Sequence, residues 1–151
     1  MAWAQTLFGD VVPSGRLPVT LPMQESDTIA PSTSATVPYS ERLATGYRNA
    51  AIKPRFAFGH GLSYTSFEYA DSKARRCSGS NLCIDAHVTN GGTVAGSTVA
   101  QLYLDFPAEA KQPAPILKGF QRTSSLDPGK GELVTFTLSA QELAWYDNSF
   151  W

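Results

Sequence analysis

The sequence predicts a mainly β chain whose second half is an antiparallel sandwich, with the end of a different, helix-containing unit placed before it. Three observations carry this reading. Beyond Ser63, short runs of alternating apolar and polar residues are separated by turn signals such as Asn90-Gly91-Gly92 and Asp127-Pro128-Gly129, which is how strands with one buried face are written. Before them, aromatic residues are spaced among glycines with no helical period. Hydrophobic residues make up 42% of the 151 and charged residues 17%, enough apolar material for a core and too little charge for a disordered tail.

Taken in order, Ala2 to Phe8 read as the last turns of a helix. Trp3, Leu7 and Phe8 fall near one face, and Gly9 sits where helices terminate. After the turn signal Pro13-Ser14-Gly15, the alternation of Leu17, Val19 and Leu21 predicts a half-buried strand, demoted by Pro18 and Pro22 to an edge strand or strand end. Residues Pro22 to Pro38 are rich in Ser, Thr, Pro and Ala and read as a surface loop. Tyr39 to Tyr64 read as an irregular, packed connection.

Five strands follow. Phe67 and Tyr69 flank Glu68 in the first; Ile84, Ala86 and Val88 alternate with Asp85, His87 and Thr89 in the second, which puts His87 on the outer face. The nearly unbroken apolar run Val99 to Leu104 predicts a central strand covered on both sides. Ile116 to Phe120 form a short fourth, and Val134, Phe136 and Leu138 a fifth. Ser139-Ala140-Gln141-Glu142 has capping-box spacing and predicts a turn of helix through Leu143 and Trp145. An immunoglobulin-type sandwich needs about seven strands, so two are expected to be missing.

Net charge is −1 and the 12 Lys and Arg residues are scattered; no basic stripe exists to hold phosphates, and nucleic acid is not an expected partner. No apolar run approaches the ~20 residues needed to cross a bilayer, and the amino terminus lacks the layout of a signal peptide. The chain reads as soluble, with no membrane partner. The two cysteines, Cys77 and Cys83, bracket a short polar span that one disulfide would close in an oxidising compartment. With two thiols and two unclustered histidines, no metal site and no cofactor are expected.

Two stretches resemble the carboxy-terminal half of glycoside hydrolase family 3. The first runs from Leu7-Phe8-Gly9-Asp10-Val11-Val12-Pro13-Ser14-Gly15-Arg16-Leu17-Pro18-Val19-Thr20 through Gly46-Tyr47-Arg48 to Phe56-Ala57-Phe58-Gly59-His60-Gly61-Leu62-Ser63-Tyr64-Thr65, and it is similar to the end of that family's α/β sandwich domain and its exit. The second resembles the family's fibronectin type III-like domain, through Val88-Thr89-Asn90 with Gly96, Val99-Ala100-Gln101-Leu102-Tyr103, Leu117-Lys118-Gly119-Phe120, Leu126-Asp127-Pro128-Gly129, Val134-Thr135-Phe136, and Leu143 with Trp145 and Asp147. Two places depart from the pattern. Asn49-Ala50-Ala51 stand where aromatics and an Asp are usual, and Arg42 stands where Gly is common after Tyr39-Ser40-Glu41. The resemblance implies an incomplete immunoglobulin/fibronectin type III-like β-sandwich preceded by the end of an α/β sandwich domain.

It also implies that the nucleophilic Asp and the acid/base Glu of a retaining glycosidase lie before Met1, so no catalytic residue is assigned here. The chain's own carboxylates have ordinary duties to perform. Asp10, Asp127 and Asp147 sit in turn or helix-end contexts, and Glu68 and Asp85 on polar strand faces. Glu41 is expected to have a structural hydrogen-bonding role, and Arg48 is a candidate to pair with it across the connection. Gly59-His60-Gly61 has no Lys-Ser or Lys-Thr partner, so it reads as a tight turn and not as a phosphate loop; His60 has no nucleophile at useful spacing. Tyr64, Phe67, Tyr103, Phe120, Phe136 and Trp145 are expected to pack in a core or domain interface in preference to stacking on sugars.

The expected division is 1–38, the end of the α/β domain with its loop; 39–65, the aromatic connection; and 66–151, the sandwich lacking its last strands. The expected role is a non-catalytic accessory region bracing the catalytic domains of a β-glucosidase-like enzyme. Its partners are those missing domains, with β-glucoside or β-xyloside the substrate only in the intact enzyme, in an extracellular or secretory setting. The alternatives are a free-standing glycan- or protein-binding module and a small complete enzyme.

Overall fold

A computed structural model describes residues 2–146; the readings made at Asp147 and at the final residues lie outside that span. Helix α1 (Ala2–Leu7) is short and stops at Gly9, whose φ of +85° is a left-handed conformation that costs glycine nothing. Its apolar side chains are not covered by the described residues: Trp3 is 82% and Phe8 84% exposed.

The strand expected over Leu17–Leu21 shrinks to β1 (Leu21–Pro22), which pairs antiparallel with β2 (Pro54–Phe56). Pro18 has no N–H to offer a ladder, and Leu17 instead exchanges two bonds with the Gly59-His60 turn: Leu17 N–H donates to the His60 carbonyl and Gly59 N–H to the Leu17 carbonyl, both at 2.8 Å. The sequence between is irregular apart from single 3-10 turns at Glu25–Asp27 and Gly46–Arg48.

The sandwich begins at β3 (Phe67–Arg76) and continues through β4 (Leu82–Asn90), β5 (Val99–Leu104), β6 (Ile116–Arg122) and β7 (Gly131–Leu138), closing with helix α2 (Ala140–Leu143). All five strands read from the sequence are present. One sheet has the order β3-β4-β7 and the other is the pair β5-β6, every pairing antiparallel. Their inner faces enclose Val88, Ala100, Val134 and Phe136, with Phe67, Ile84 and Leu102 packed around them. Val88 and Val134 are fully buried; burying a side chain of this kind is worth ~1.5–3 kcal/mol.

Alternation explains two details. A Cβ on Gly119 would come within 2.9 Å of the Phe136 ring, so position 119 faces inward and only glycine leaves room for the aromatic. Its neighbour Phe120 must then face outward, and it is 73% exposed, against the expectation that it would be packed. β5 is buried on its inner face by the core and only partly covered outside by the preceding connection, Tyr103 remaining 37% exposed. It is not central, however: among the described residues only β6 pairs with it.

At the end of β4, Asn90 is fully buried and every polar atom of its side chain is satisfied. Oδ1 accepts from Thr65 Oγ1 at 2.6 Å and from Gly92 N–H at 3.0 Å, while Nδ2 donates to the carbonyls of Val94 and Leu126, each at 2.8 Å. One amide thereby fastens the β4 exit to the strand entry at Thr65 and to the Leu126 turn, at a site where a missing partner would cost ~1–3 kcal/mol. The capping box forms as the spacing requires. Ser139 Oγ accepts from Glu142 N–H at 3.4 Å, and Ser139 N–H donates to the Glu142 carboxylate at 2.7 Å; that N–H, and then the Ser139 hydroxyl donating at 2.8 Å, hold the carboxyl below its usual range.

Candidate interdomain interface

The outer face of β5-β6 is where the first sixty residues meet the sandwich. Alternation places Gln101 and Tyr103 on that face, and the register shift at Leu102/Tyr103 brings Leu117 opposite Tyr103 onto it; the first sixty residues meet this face and the segment leading into β5 at four points. The 3-10 turn Gly46–Arg48 presents Tyr47; its ring lies 4.6 Å from that of Phe58 and 6.0 Å, edge-on, from that of Tyr103. Its hydroxyl accepts the N–H of Leu117 at 3.0 Å. Burial, with the neighbouring Tyr47 as a second cause, pushes the Tyr103 phenol above its ordinary pKa.

Arg16 supplies the second point, donating to Thr98 Oγ1 at 2.9 Å. Thr98 is itself buried and held, its N–H donating to Thr123 Oγ1 at 3.0 Å and its carbonyl accepting from Thr123 N–H at 2.9 Å. The guanidinium therefore docks on a rigid acceptor. Val12 supplies the third: it is buried against Gly96, where a Cβ would stand 3.1 Å from Val12 Cγ1. The fourth is Gly59, so close to Gln101 that a Cβ would fall 2.6 Å from its Oε1.

The connection is also tied back on itself. Tyr64 Oη donates to the Thr6 carbonyl at 2.6 Å, and Gly61 lies directly on the Gly15 carbonyl and the Arg16 side chain. His60 N–H closes a tight turn on the Ala57 carbonyl at 3.0 Å, and its ring stacks 5.3 Å from Phe56. This is the packing role expected of Gly59-His60-Gly61.

Glu41 and Arg48 do not pair as expected. Glu41 lines a cavity of about 260 Å³ with Thr20, Asp27, Thr45 and Asn49, whereas Arg48 lines a separate depression and donates to Thr45 Oγ1 at 3.4 Å. Arg48 ends the 3-10 turn, and its guanidinium folds back on Thr45 at the start of that turn instead of reaching Glu41. The ion pair found among the described residues is Arg75 with Asp85, 2.6 Å apart. Asp85 also accepts from Thr135 Oγ1 at 2.6 Å, and the Arg75 guanidinium first, then the Thr135 hydroxyl, hold its carboxyl below the ordinary value.

Cys77 and Cys83 are joined as a disulfide, with Cα atoms 5.8 Å apart, at the tip of the β3-β4 hairpin and away from this interface. Among the described residues no group of three or more His, Cys, Asp or Glu converges, and no helix is long and apolar enough to cross a membrane. The residues that sequence reasoning missed are Arg16, Thr98 and Asn90. For Asn90 a signal was present, since a polar residue ending an apolar alternation before Gly-Gly has to satisfy its amide somewhere.

A two-sheet β-sandwich with a long irregular connection clamped to its outer face defines the class: a fibronectin type III-like module attached to the tail of a preceding domain. Comparison with known proteins agrees at both ends. Residues 98–150 match the model of the fibronectin type III-like domain, and residues 1–64 that of the glycosyl hydrolase family 3 C-terminal domain. The chain belongs to glycoside hydrolase family 3, as part of its carboxy-terminal accessory region. It is 40% identical over 157 residues to thermostable β-glucosidase B of Acetivibrio thermocellus, covering 97% of this chain and 21% of that protein. Among solved structures, the β-D-glucoside glucohydrolase of Trichoderma reesei superposes with a TM-score of 0.86 at 31% identity, over 98% of this chain and 24% of that one. A β-glucosidase of this family from Bifidobacterium adolescentis gives 0.84 at 30%, over 97% and 23%. The chain thus spans about a fifth to a quarter of the length of these relatives. Residues 65–97, which carry β3 and β4, fall between the two matched spans, yet they form the larger sheet with β7.

Proposed function

We propose that this chain braces the catalytic domains of a β-glucosidase, and that the intact protein hydrolyses terminal β-glucosyl residues, with β-xylosyl units as the near alternative. The observation that supports the reading is the fourfold clamp on the β5-β6 pair and the segment leading into it. A segment that merely linked two independent domains would be polar and loosely held; this one commits Tyr47, Arg16 and Val12 to the sandwich. Fixing the sandwich to the tail of the α/β domain limits how far that domain's surface can breathe. The proposed partners are therefore the catalytic domains of the same protein, and the nucleophile and acid are theirs. In this reading the division falls at 1–38, 39–65 and 66–151.

The test uses the intact enzyme carrying Arg16→Ala with Tyr47→Ala, and reads thermal unfolding together with hydrolysis of a chromogenic β-glucoside. The expected result is a lower melting temperature and a shorter half-life of activity. Unchanged values of both, or turnover by the 151-residue chain alone, would remove the reading; retention of the isolated chain on a glycan affinity gel would favour a free-standing binding module.

A further inference from the structure

We propose that Asn90-Gly91 is a covalent modification site, a deamidation site that the fold holds shut and that opens when the sandwich unfolds. An Asn followed by Gly is the pair in which the backbone nitrogen reaches the side-chain amide with the least obstruction, because no Cβ stands beside the attacking atom. The Gly91 nitrogen attacks Asn90 Cγ, the Cγ–Nδ2 bond breaks, and Nδ2 leaves as ammonia with the proton that Gly91 gives up. Water then opens the five-membered imide at either carbonyl, yielding aspartate or isoaspartate. Water is the only co-reactant.

The native structure blocks each requirement. Gly91 N–H is engaged by the Ser66 carbonyl at 3.0 Å, so its nitrogen is occupied as a donor. Nδ2 donates to the carbonyls of Val94 and Leu126, each at 2.8 Å; the two bonds fix the amide, so that Cγ is not free to swing onto the Gly91 nitrogen. Asn90 is fully buried, which excludes the hydroxide and water that drive the reaction in an open chain. Unfolding removes all three obstacles together.

The product cannot return to the same place. An aspartate has no hydrogen to give Val94 and Leu126, and it would put a carboxylate against two carbonyl oxygens in a fully buried site. Isoaspartate adds a backbone methylene where β4 hands over to Gly91 and shifts the contact with Ser66. Each episode of unfolding therefore removes a fraction of chains from the folding equilibrium permanently.

The experiment holds the 151-residue chain in mildly alkaline buffer, with and without denaturing urea, for matched times. Deamidation is read from the mass of the peptide containing Asn90 and from isoaspartate labelling, and recovery from circular dichroism after the urea is removed. A Gly91→Ala chain is carried in parallel; its new methyl group meets only the mobile end of the Glu68 side chain, at 2.8 Å. The expected result is conversion at Asn90 at least about tenfold faster in urea than in the native state, recovery falling in step with it, and both slowed by Gly91→Ala. Equal conversion with and without urea would overturn the proposal whether or not the variant folds, as would loss of recovery at the same pace in Gly91→Ala chains whose Asn90 is intact.

Discussion

The hydroxyl of Tyr47 accepts the amide hydrogen of Leu117, a residue 70 positions further along the chain, at 3.0 Å. A side chain in an irregular loop thus satisfies a backbone donor of β6 that the β5 ladder leaves unused, at the bulge between Leu102 and Tyr103. Tyr47→Phe removes only that acceptor. It is expected to cost ~1–3 kcal/mol, with Tyr47→Ala costing more through the lost stacking on Phe58, and denaturant titration of the two variants measures both.

Gly61 offers a steric test of the same interface. A Cβ there runs into the backbone carbonyl of Gly15, whereas one on Gly15 itself meets nothing within 4 Å. Gly61→Ala is therefore expected to destabilise by ~1–3 kcal/mol and Gly15→Ala to lie within about 0.5 kcal/mol of the parent. Equal melting temperatures for the two variants would show that the connection yields freely.

Arg42 has a φ of +50°, a conformation that disfavours any residue with a Cβ, directly after Tyr39-Ser40-Glu41. Arg42→Gly is expected to stabilise by about 1 kcal/mol, the relieved strain exceeding the added freedom of the unfolded chain. A fall in the melting temperature would contradict this.

Acid lability is expected to trace to Asp85. Its carboxyl titrates lower in the folded chain than in the unfolded one, because Arg75 and Thr135 donate to it. Its contribution is then complete above the unfolded carboxylate pKa and is lost as pH falls through the folded value. Asp85→Asn should flatten the acid limb of a stability-versus-pH curve and leave the neutral-to-alkaline limb alone. The Tyr103 phenol, raised by burial, acts at the other end: its contribution is lost as pH rises through its folded value, and Tyr103→Phe should remove that decline.

Reduction of Cys77–Cys83 is expected to cost ~2 kcal/mol, the loop-closure value for so short a ring. Because the bridge sits at the far end of the hairpin, the loss should appear in thermal unfolding while the Tyr47 contact is retained, measured by melting with and without a thiol reductant.

The strands were legible in the sequence because turn signals bound short runs that carry either a two-residue period or, in β5, an unbroken apolar stretch: Ile84, Ala86 and Val88 alternate as plainly in the chain as they do in β4. The clamp was legible only as a collection of aromatics needing cover. Nothing about Arg16 predicts Thr98, since a guanidinium exposed in the primary structure has many acceptors to choose from and the choice is made by the tertiary arrangement. Phe120 misled for a local reason. Its inward place in the alternation belongs to Gly119, which reads as a turn residue until Phe136 is seen resting on it. The Leu17–Leu21 alternation misled because apolar spacing says nothing about whether a partner strand is available.

The reach of the clamp also sets an order of events. Arg16 must wait for Thr98, 82 residues away, and Tyr64 for Thr6, 58 residues back; bonds spanning such intervals close late, after the hairpins have formed locally. On the ribosome, the first sixty residues emerge with their counterpart still untranslated, so the clamp cannot close until β5 and β6 arrive. Arg16→Ala should accordingly speed unfolding and leave the refolding rate nearly untouched, a division that stopped-flow kinetics resolves directly.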